Sequence, residues 1–157
     1  MIEFFLACVP PTATHHMKRI VRIGKFTRLA DKPELVAAKE MVDNLLLQHQ
    51  PAEPMSGALR LTLELTWPWL CAHPQRVRAL GRIPKVTKPD CSNLIKMIED
   101  RLVALRFLVD DNLVAGTVVD KFWGDRPGVG IRIEPYIARP SSFFAGAVAP
   151  RSDVALF

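Results

Sequence analysis

The residues able to do chemistry crowd one stretch of the chain: Lys88-Pro89-Asp90-Cys91-Ser92-Asn93-Leu94-Ile95-Lys96-Met97-Ile98-Glu99-Asp100, followed by the adjacent pair Asp110-Asp111. Asp90 stands just before a helical pattern and has two readings. It could cap the helix by accepting a backbone N–H, or it could be a metal ligand at the helix mouth. Asp110 and Asp111 are neighbours, so on a strand they point to opposite faces. They form a solvated turn, or one of them joins Asp90 around a divalent cation. Mg²⁺ prefers oxygen ligands and takes one or two carboxylates with water and phosphate. Such an ion activates water and screens the charge of a scissile phosphate. Lys96 lies four residues before Asp100, which suits a helical ion pair or, alternatively, an ammonium beside a phosphate. Carboxylates, a lysine and a helix N-terminus next to basic loops are a sensible set for phosphodiester chemistry.

These groups need elements to hold them. Ile2–Val9 reads as a buried strand stopped by Pro10-Pro11. Thr12–Ala30 carries Lys18, Arg19, Arg22, Lys25 and Arg28 with no acid and reads as an extended, partly stranded basic loop broken at Gly24. Asp31-Lys-Pro-Glu34 is a helix start, with Asp31 as N-cap and Pro33 in the first turn. Leu35, Ala38, Met41, Val42, Leu45 and Leu46 then keep helical spacing to about His49. Leu59–Trp67 alternates apolar with polar and predicts a half-buried strand. His73–Lys88 is a second acid-free basic loop with Arg76, Arg78, Arg82, Lys85 and Lys88. Asn93–Leu105 predicts a helix with Leu94, Met97, Ile98, the Arg101 stem and Leu105 inward. Leu113–Trp123 and Val129–Ile137 read as strands joined by a turn at Gly124–Gly128. The sum is a small α+β domain with one sheet and two main helices over residues 1–139, and a loosely held tail over 140–157.

Composition narrows the class. The 157 residues are 49% hydrophobic, which argues against disorder, and the net charge is +5. No segment spans a membrane, and Ile2–Val9 lacks the basic flank of a secretory signal. Cys8, Cys71 and Cys91 are an odd set without metal-ligand spacing, read as free thiols in a reducing cytoplasm. The basic stretches suit DNA phosphates, with strong salt dependence. Trp67 continues the buried face of its strand, which favours packing over base stacking.

The run Asp90-x-Ser92-Asn93-Leu94-x-Lys96, then Asp100, then Asp110-Asp111, resembles the signature of the RusA family of Holliday junction resolvases. That signature is Asp-x-Asp-Asn-Leu-x-Lys, a further Asp along the helix, and an Asp-Asp pair. The loose match of Pro10-Pro11, basic segment and helix extends the resemblance to about residues 1–137. It implies a Mg²⁺-dependent endonuclease, with Mn²⁺ able to substitute, that acts as a homodimer and cuts opposing strands of a four-way DNA junction in recombination and repair. Asp90 and Asp111 would bind metal, Lys96 would be the catalytic lysine, and Asn93 and Asp100 would support the site. Lys18, Arg19, Arg22, Lys25, Arg76, Arg78, Arg82, Lys85 and Lys88 are the expected DNA contacts. Ser92 departs from the pattern, which commonly has a carboxylate there. Ser92 could hold a metal-bound water, Asp110 could be a further ligand, or Glu99 could supply the missing charge. Two other readings stand beside this one: a branched-DNA binder whose nuclease site has lapsed at Ser92, and an unrelated α+β interaction module.

Overall fold

The computed structural model describes residues 1–13 and 17–138. Its elements are β1 (Ile2–Leu6), β2 (Lys18–Ile23), β3 (Phe26–Asp31), α1 (Pro33–Leu46), β4 (Leu59–Pro68), α2 (Gln75–Arg78), β5 (Arg82–Pro84), α3 (Cys91–Ala104), β6 (Val114–Gly124) and β7 (Gly128–Pro135). Single 3₁₀ turns follow α1 at Leu47–His49 and precede β6 at Asp111–Leu113. The tail expected over 140–157 lies outside the described residues.

β4 organises the sheet. Leu59, Leu61, Leu63, Leu65 and Trp67 are buried along one face, while Arg60, Thr62, Glu64 and Thr66 line the other. The strand order is β1-β7-β4-β6-β5. β4 pairs antiparallel with β7 and parallel with β6. A parallel neighbour needs a long crossover, and that crossover carries α2, β5 and α3. The apolar face of β4 meets Leu35, Ala38, Val42 and Leu46 of α1 and Leu94, Met97, Ile98 and Leu102 of α3, with Val129, Ile131 and Ile133 of β7 completing the core. Burying each such side chain contributes roughly 1.5–3 kcal/mol relative to leaving it exposed. On the opposite face, Arg132 donates two 2.9 Å hydrogen bonds to Glu3 across the β1–β7 pair. Gly128 is required where β7 begins, because a Cβ there would meet the Phe5 ring at 2.0 Å.

An α+β domain is therefore what the chain forms, with three departures from the reading of the sequence. The first basic stretch is a separate two-stranded ribbon of β2 and β3, not a loop. Gly24, expected to break it, has φ +61° and opens the two-residue turn between Ile23 and Phe26; a glycine-first hairpin turn matches strand twist. The second basic stretch holds a short helix and a strand. Asp31 is not the cap of α1, which starts after Lys32. Its carboxylate binds Lys18 and, at 2.6 Å, Lys39, and two ammonium groups outcompete a backbone N–H. Those bonds, Lys18's first, hold the Asp31 carboxyl below the usual carboxylate range.

Smaller shifts follow the same logic. Leu102 takes the inward place expected of Leu105, and Arg101 reaches across to Asp43 of α1 at 2.6 Å. The last strand stops at Pro135. Trp67 is a core residue, 4% exposed, and its indole N–H has no partner among the described residues. Cys8, Cys71 and Cys91 are unpaired. Among the described residues, no helix is long and apolar enough to cross a membrane.

Candidate active site

The site is organised by the two ends of α3. At its start Asp90 occupies the N-cap position with extended backbone (φ −73°, ψ 147°), yet its side chain accepts no capping hydrogen bond. The capping alternative is thus unrealised and the carboxylate is left exposed. It lines a cleft of about 310 Å³ with Thr12, Lys88, Pro89 and Asn93. Thr12 comes from the segment after Pro10-Pro11, and nothing in its type or spacing marked it beforehand.

The far end of α3 turns the chain back. The N–H of Phe107 reaches the Leu102 carbonyl at 2.8 Å and that of Arg106 reaches Val103 at 3.0 Å, the paired closure of a Schellman ending. Such an ending needs a left-handed residue, and Arg106 supplies it at φ +58°, at a cost of roughly 1–2 kcal/mol against glycine. Phe107 is fully buried. Met55 then pins the returning chain, donating to the Phe107 carbonyl at 2.8 Å and accepting from the Val109 N–H at 3.2 Å.

This return separates the roles of the aspartate pair. Asp110 caps the 3₁₀ turn, its Oδ1 accepting the Asn112 N–H at 2.8 Å. Asp111 meets α3 instead: Lys96 Nζ donates to Asp111 Oδ2 at 2.6 Å and pairs with Asp100 Oδ1 at 2.9 Å. The helical ion pair read from the spacing is formed, and the same ammonium also reaches Asp111, a contact the sequence did not announce. The hydrogen bond to Asp111, then that to Asp100, raises the Lys96 ammonium above its ordinary range. The same bond holds the Asp111 carboxyl below the usual range. Glu99 shares this neighbourhood. Burial pushes its carboxyl up, opposed by Lys96 and assisted by the charges of Asp111 and Asp100. Ser92 is exposed in the first turn of α3.

The structure therefore joins Lys96, Asp100 and Asp111, and places Asp90 and Asn93 together in the cleft. Lys96 lies about 9 Å of helix rise beyond Asp90. Among the described residues no group of three His, Cys, Asp or Glu gathers as a metal cage. The donor set still suits Mg²⁺, which usually binds through one or two carboxylates and completes its shell with water and phosphate. Among the described residues the Asp90 side chain takes part in no hydrogen bond or ion pair with the rest of the chain, and Asp111 meets Lys96 through Oδ2.

The basic residues divide. Arg19, Arg22 and Lys25 on the ribbon, Arg76 and Lys88 are exposed, and Lys18 is exposed beside Asp31. Arg78 is tied to the carbonyls of His73 and Leu70 at 3.0 and 2.9 Å. Arg82 pairs with Glu64 at 3.1 Å and lies over the Phe122 ring. Lys85 corrects the expectation most: it is 5% exposed, with its ammonium 5.0 Å from the Trp67 ring centre and 4.5 Å from that of Trp123. A lysine so enclosed cannot reach DNA. Burial first, and Lys121 second, lower its ammonium from the ordinary range.

Glu99→Gln tests the electrostatics. A raised carboxyl means that the folded state binds more protons than the unfolded one, so stability falls as pH rises from about 4.5, the ordinary value. The variant is expected to melt higher than the parent at pH 7, with the gap closing below about pH 4.5. Equal melting temperatures across that range would contradict the burial argument.

Carboxylates at and beyond the two ends of one helix, an ammonium on that helix between them, and exposed basic residues around the sheet are the make-up of an α+β nuclease. The family comparison is more specific: the model for endodeoxyribonuclease RusA matches residues 9–134, and the chain belongs to the RusA endodeoxyribonuclease family. None of the curated proteins compared with the chain matches it.

Proposed function

We propose that the protein is a Mg²⁺-dependent, structure-specific endodeoxyribonuclease that resolves four-way DNA junctions by paired nicks during recombination and repair. The observation that carries this reading is the carboxylate of Asp90, which caps no N–H of the helix it opens and is exposed in the cleft, while Lys96 of that helix holds Asp111. Asp90 and Asp111 would hold Mg²⁺, or Mn²⁺ in its place, with Ser92 near enough in sequence to hold one of its waters. The ion would supply an activated water and neutralise phosphate charge. Lys96, cationic at every working pH, donates N–H bonds to the phosphate where negative charge develops. Asp100 keeps that ammonium on the Asp111 side, and Asn93 lines the wall of the cleft. The N-terminus of α3 favours an anion at the Asp90 end. A homodimer suits a substrate with two equivalent strands, and the free thiols suit a reducing cytoplasm.

The experiment is cleavage of a labelled mobile four-way junction and a matched duplex, with MgCl₂ or EDTA, beside Asp90→Asn. Mg²⁺-dependent paired nicks on the junction alone, lost in the variant, are the expected result. Junction binding without nicks favours the lapsed site, and neither activity leaves only the fold.

The ribbon makes a second measurable contribution. Arg22 and Lys25 are exposed and are expected to contact phosphate. Arg22→Ala with Lys25→Ala is expected to weaken junction binding and flatten the plot of log affinity against log salt by about 2, near one unit per lost phosphate contact. An unchanged slope would remove the ribbon from the DNA interface.

A further inference from the structure

Two lysines that face no carboxylate among the described residues converge on the loop that delivers Asp90. Lys85 Nζ donates to the Thr87 hydroxyl at 2.6 Å, to the Thr87 carbonyl at 3.3 Å and to the Lys88 carbonyl. Lys121 Nζ, from β6, donates to the carbonyls of Thr87 at 2.9 Å and Pro89 at 2.7 Å. Three successive carbonyls before Asp90 thus end on two ammonium groups. The backbone of Lys85 is itself fixed, its N–H donating to the Lys121 carbonyl at 2.8 Å.

This is an unusual use of charge. A buried cation without a counter-ion is costly, and two side by side repel. Carbonyl oxygens and the faces of Trp67 and Trp123 compensate Lys85. For fold stability alone, an apolar residue at Lys85 would be simpler. What the pair does achieve is a fixed path for residues 87–89, and the next residue is a carboxylate that caps no N–H of α3 and has no side-chain partner among the described residues.

We propose that Lys85 and Lys121 are positioning residues for Asp90: their ammonium groups clasp the 87–89 carbonyls and thereby set where the Asp90 carboxylate presents itself to a divalent cation. This rests on the reading of Asp90 as a metal ligand. The clasp acts through the backbone, as supporting hydrogen bonds do around other metal sites, where their loss typically costs about 10–100-fold in affinity.

The test is Lys121→Met, which keeps the apolar stem, with Lys121→Arg as the conservative variant and Thr87→Val, which removes the hydroxyl that Lys85 binds. Mn²⁺ affinity is measured by electron paramagnetic resonance on the full chain without DNA. Mg²⁺ half-saturation of junction cleavage, melting temperature and junction binding in EDTA are measured alongside. Lys121→Met is expected to weaken Mn²⁺ and raise the Mg²⁺ requirement about tenfold or more, while cleavage at saturating Mg²⁺ and binding in EDTA stay near the parent's. Lys121→Arg restores part of the affinity, and Thr87→Val shifts it in the same direction by less. A folded Lys121→Met with parental metal affinity overturns the proposal, as does lost junction binding with metal affinity intact. Should Lys121→Met fail to fold, parental Mn²⁺ affinity in Thr87→Val overturns it. Asp90→Asn separates the two levels: parental Mn²⁺ affinity there removes the reading of Asp90 itself, whereas lost affinity there with none lost in Lys121→Met removes only the clasp.

Discussion

Asp90→Asn is expected to reduce junction cleavage on the order of a thousandfold, a loss typical of removing a group aimed at developing charge. Asparagine keeps the size and one oxygen of the side chain but not the charge. Because the Asp90 side chain accepts no hydrogen bond from α3, the substitution costs the fold little. The lost favourable contact of a carboxylate with the helix dipole is about 0.3–1 kcal/mol. Junction binding in EDTA should stay at the parental level, since the phosphate contacts proposed above lie on the ribbon and the other exposed basic residues, not on the Asp90 carboxylate. Cleavage within tenfold of the parent, in a folded variant, would rule Asp90 out of the chemistry. A matching collapse of melting temperature would instead assign it to the fold.

The second large effect concerns Lys96. Its ammonium is the shared partner of Asp111 and Asp100, with Glu99 nearby. Lys96→Met leaves three carboxylates together without their cation. Cleavage is expected to fall about 100–1000-fold, and this time stability changes with a definite pH signature. The Asp111 carboxyl is held low in the parent, so its contribution is present above its ordinary value of 3.8 and disappears as pH falls through the depressed value. The Lys96 ammonium is held high, so its contribution is complete below 10.5 and persists until pH passes its raised value. The melting gap between parent and variant should therefore open above about pH 4, stay open to about pH 10.5, and close in acid. Lys96→Arg should close most of the gap at neutral pH while restoring cleavage only in part, since a planar fork replaces a compact charge. A gap independent of pH would mean that the stem of Lys96, not its charge, matters.

Much of this was legible because the signals are local. The alternation of Leu59–Trp67 needed only a period of two, and α3 only the spacing of Leu94, Met97 and Ile98. Asp90, Lys96 and the Asp110-Asp111 pair stood out by spacing within a short run. What escaped depends on partners distant in sequence or on backbone sign. Lys85 looked like any surface lysine, because the rings that enclose it arrive on β4 and β6. Lys121 carried no signal, since its acceptors are main-chain carbonyls. Gly24 looked like a breaker because glycine serves both to end a strand and to turn a hairpin. Spacing alone did not tell Asp110 from Asp111, which only the resemblance separated; their different contacts follow the Schellman ending at Arg106, an arginine where glycine is usual.

One feature of the sheet bears on how the molecule comes into being. β7 lies between β1 and β4, the first strand and the central one, so among the described residues the last strand to leave the ribosome is the one that joins the two. Until it emerges, β1 has no strand to pair with and one edge of β4 stands open, with its row of leucines already made. An open apolar edge invites the same strand of another nascent chain. Late synthesis is thus the vulnerable interval for this protein, and a stop before Gly128 would leave a template for aggregation rather than a shorter nuclease.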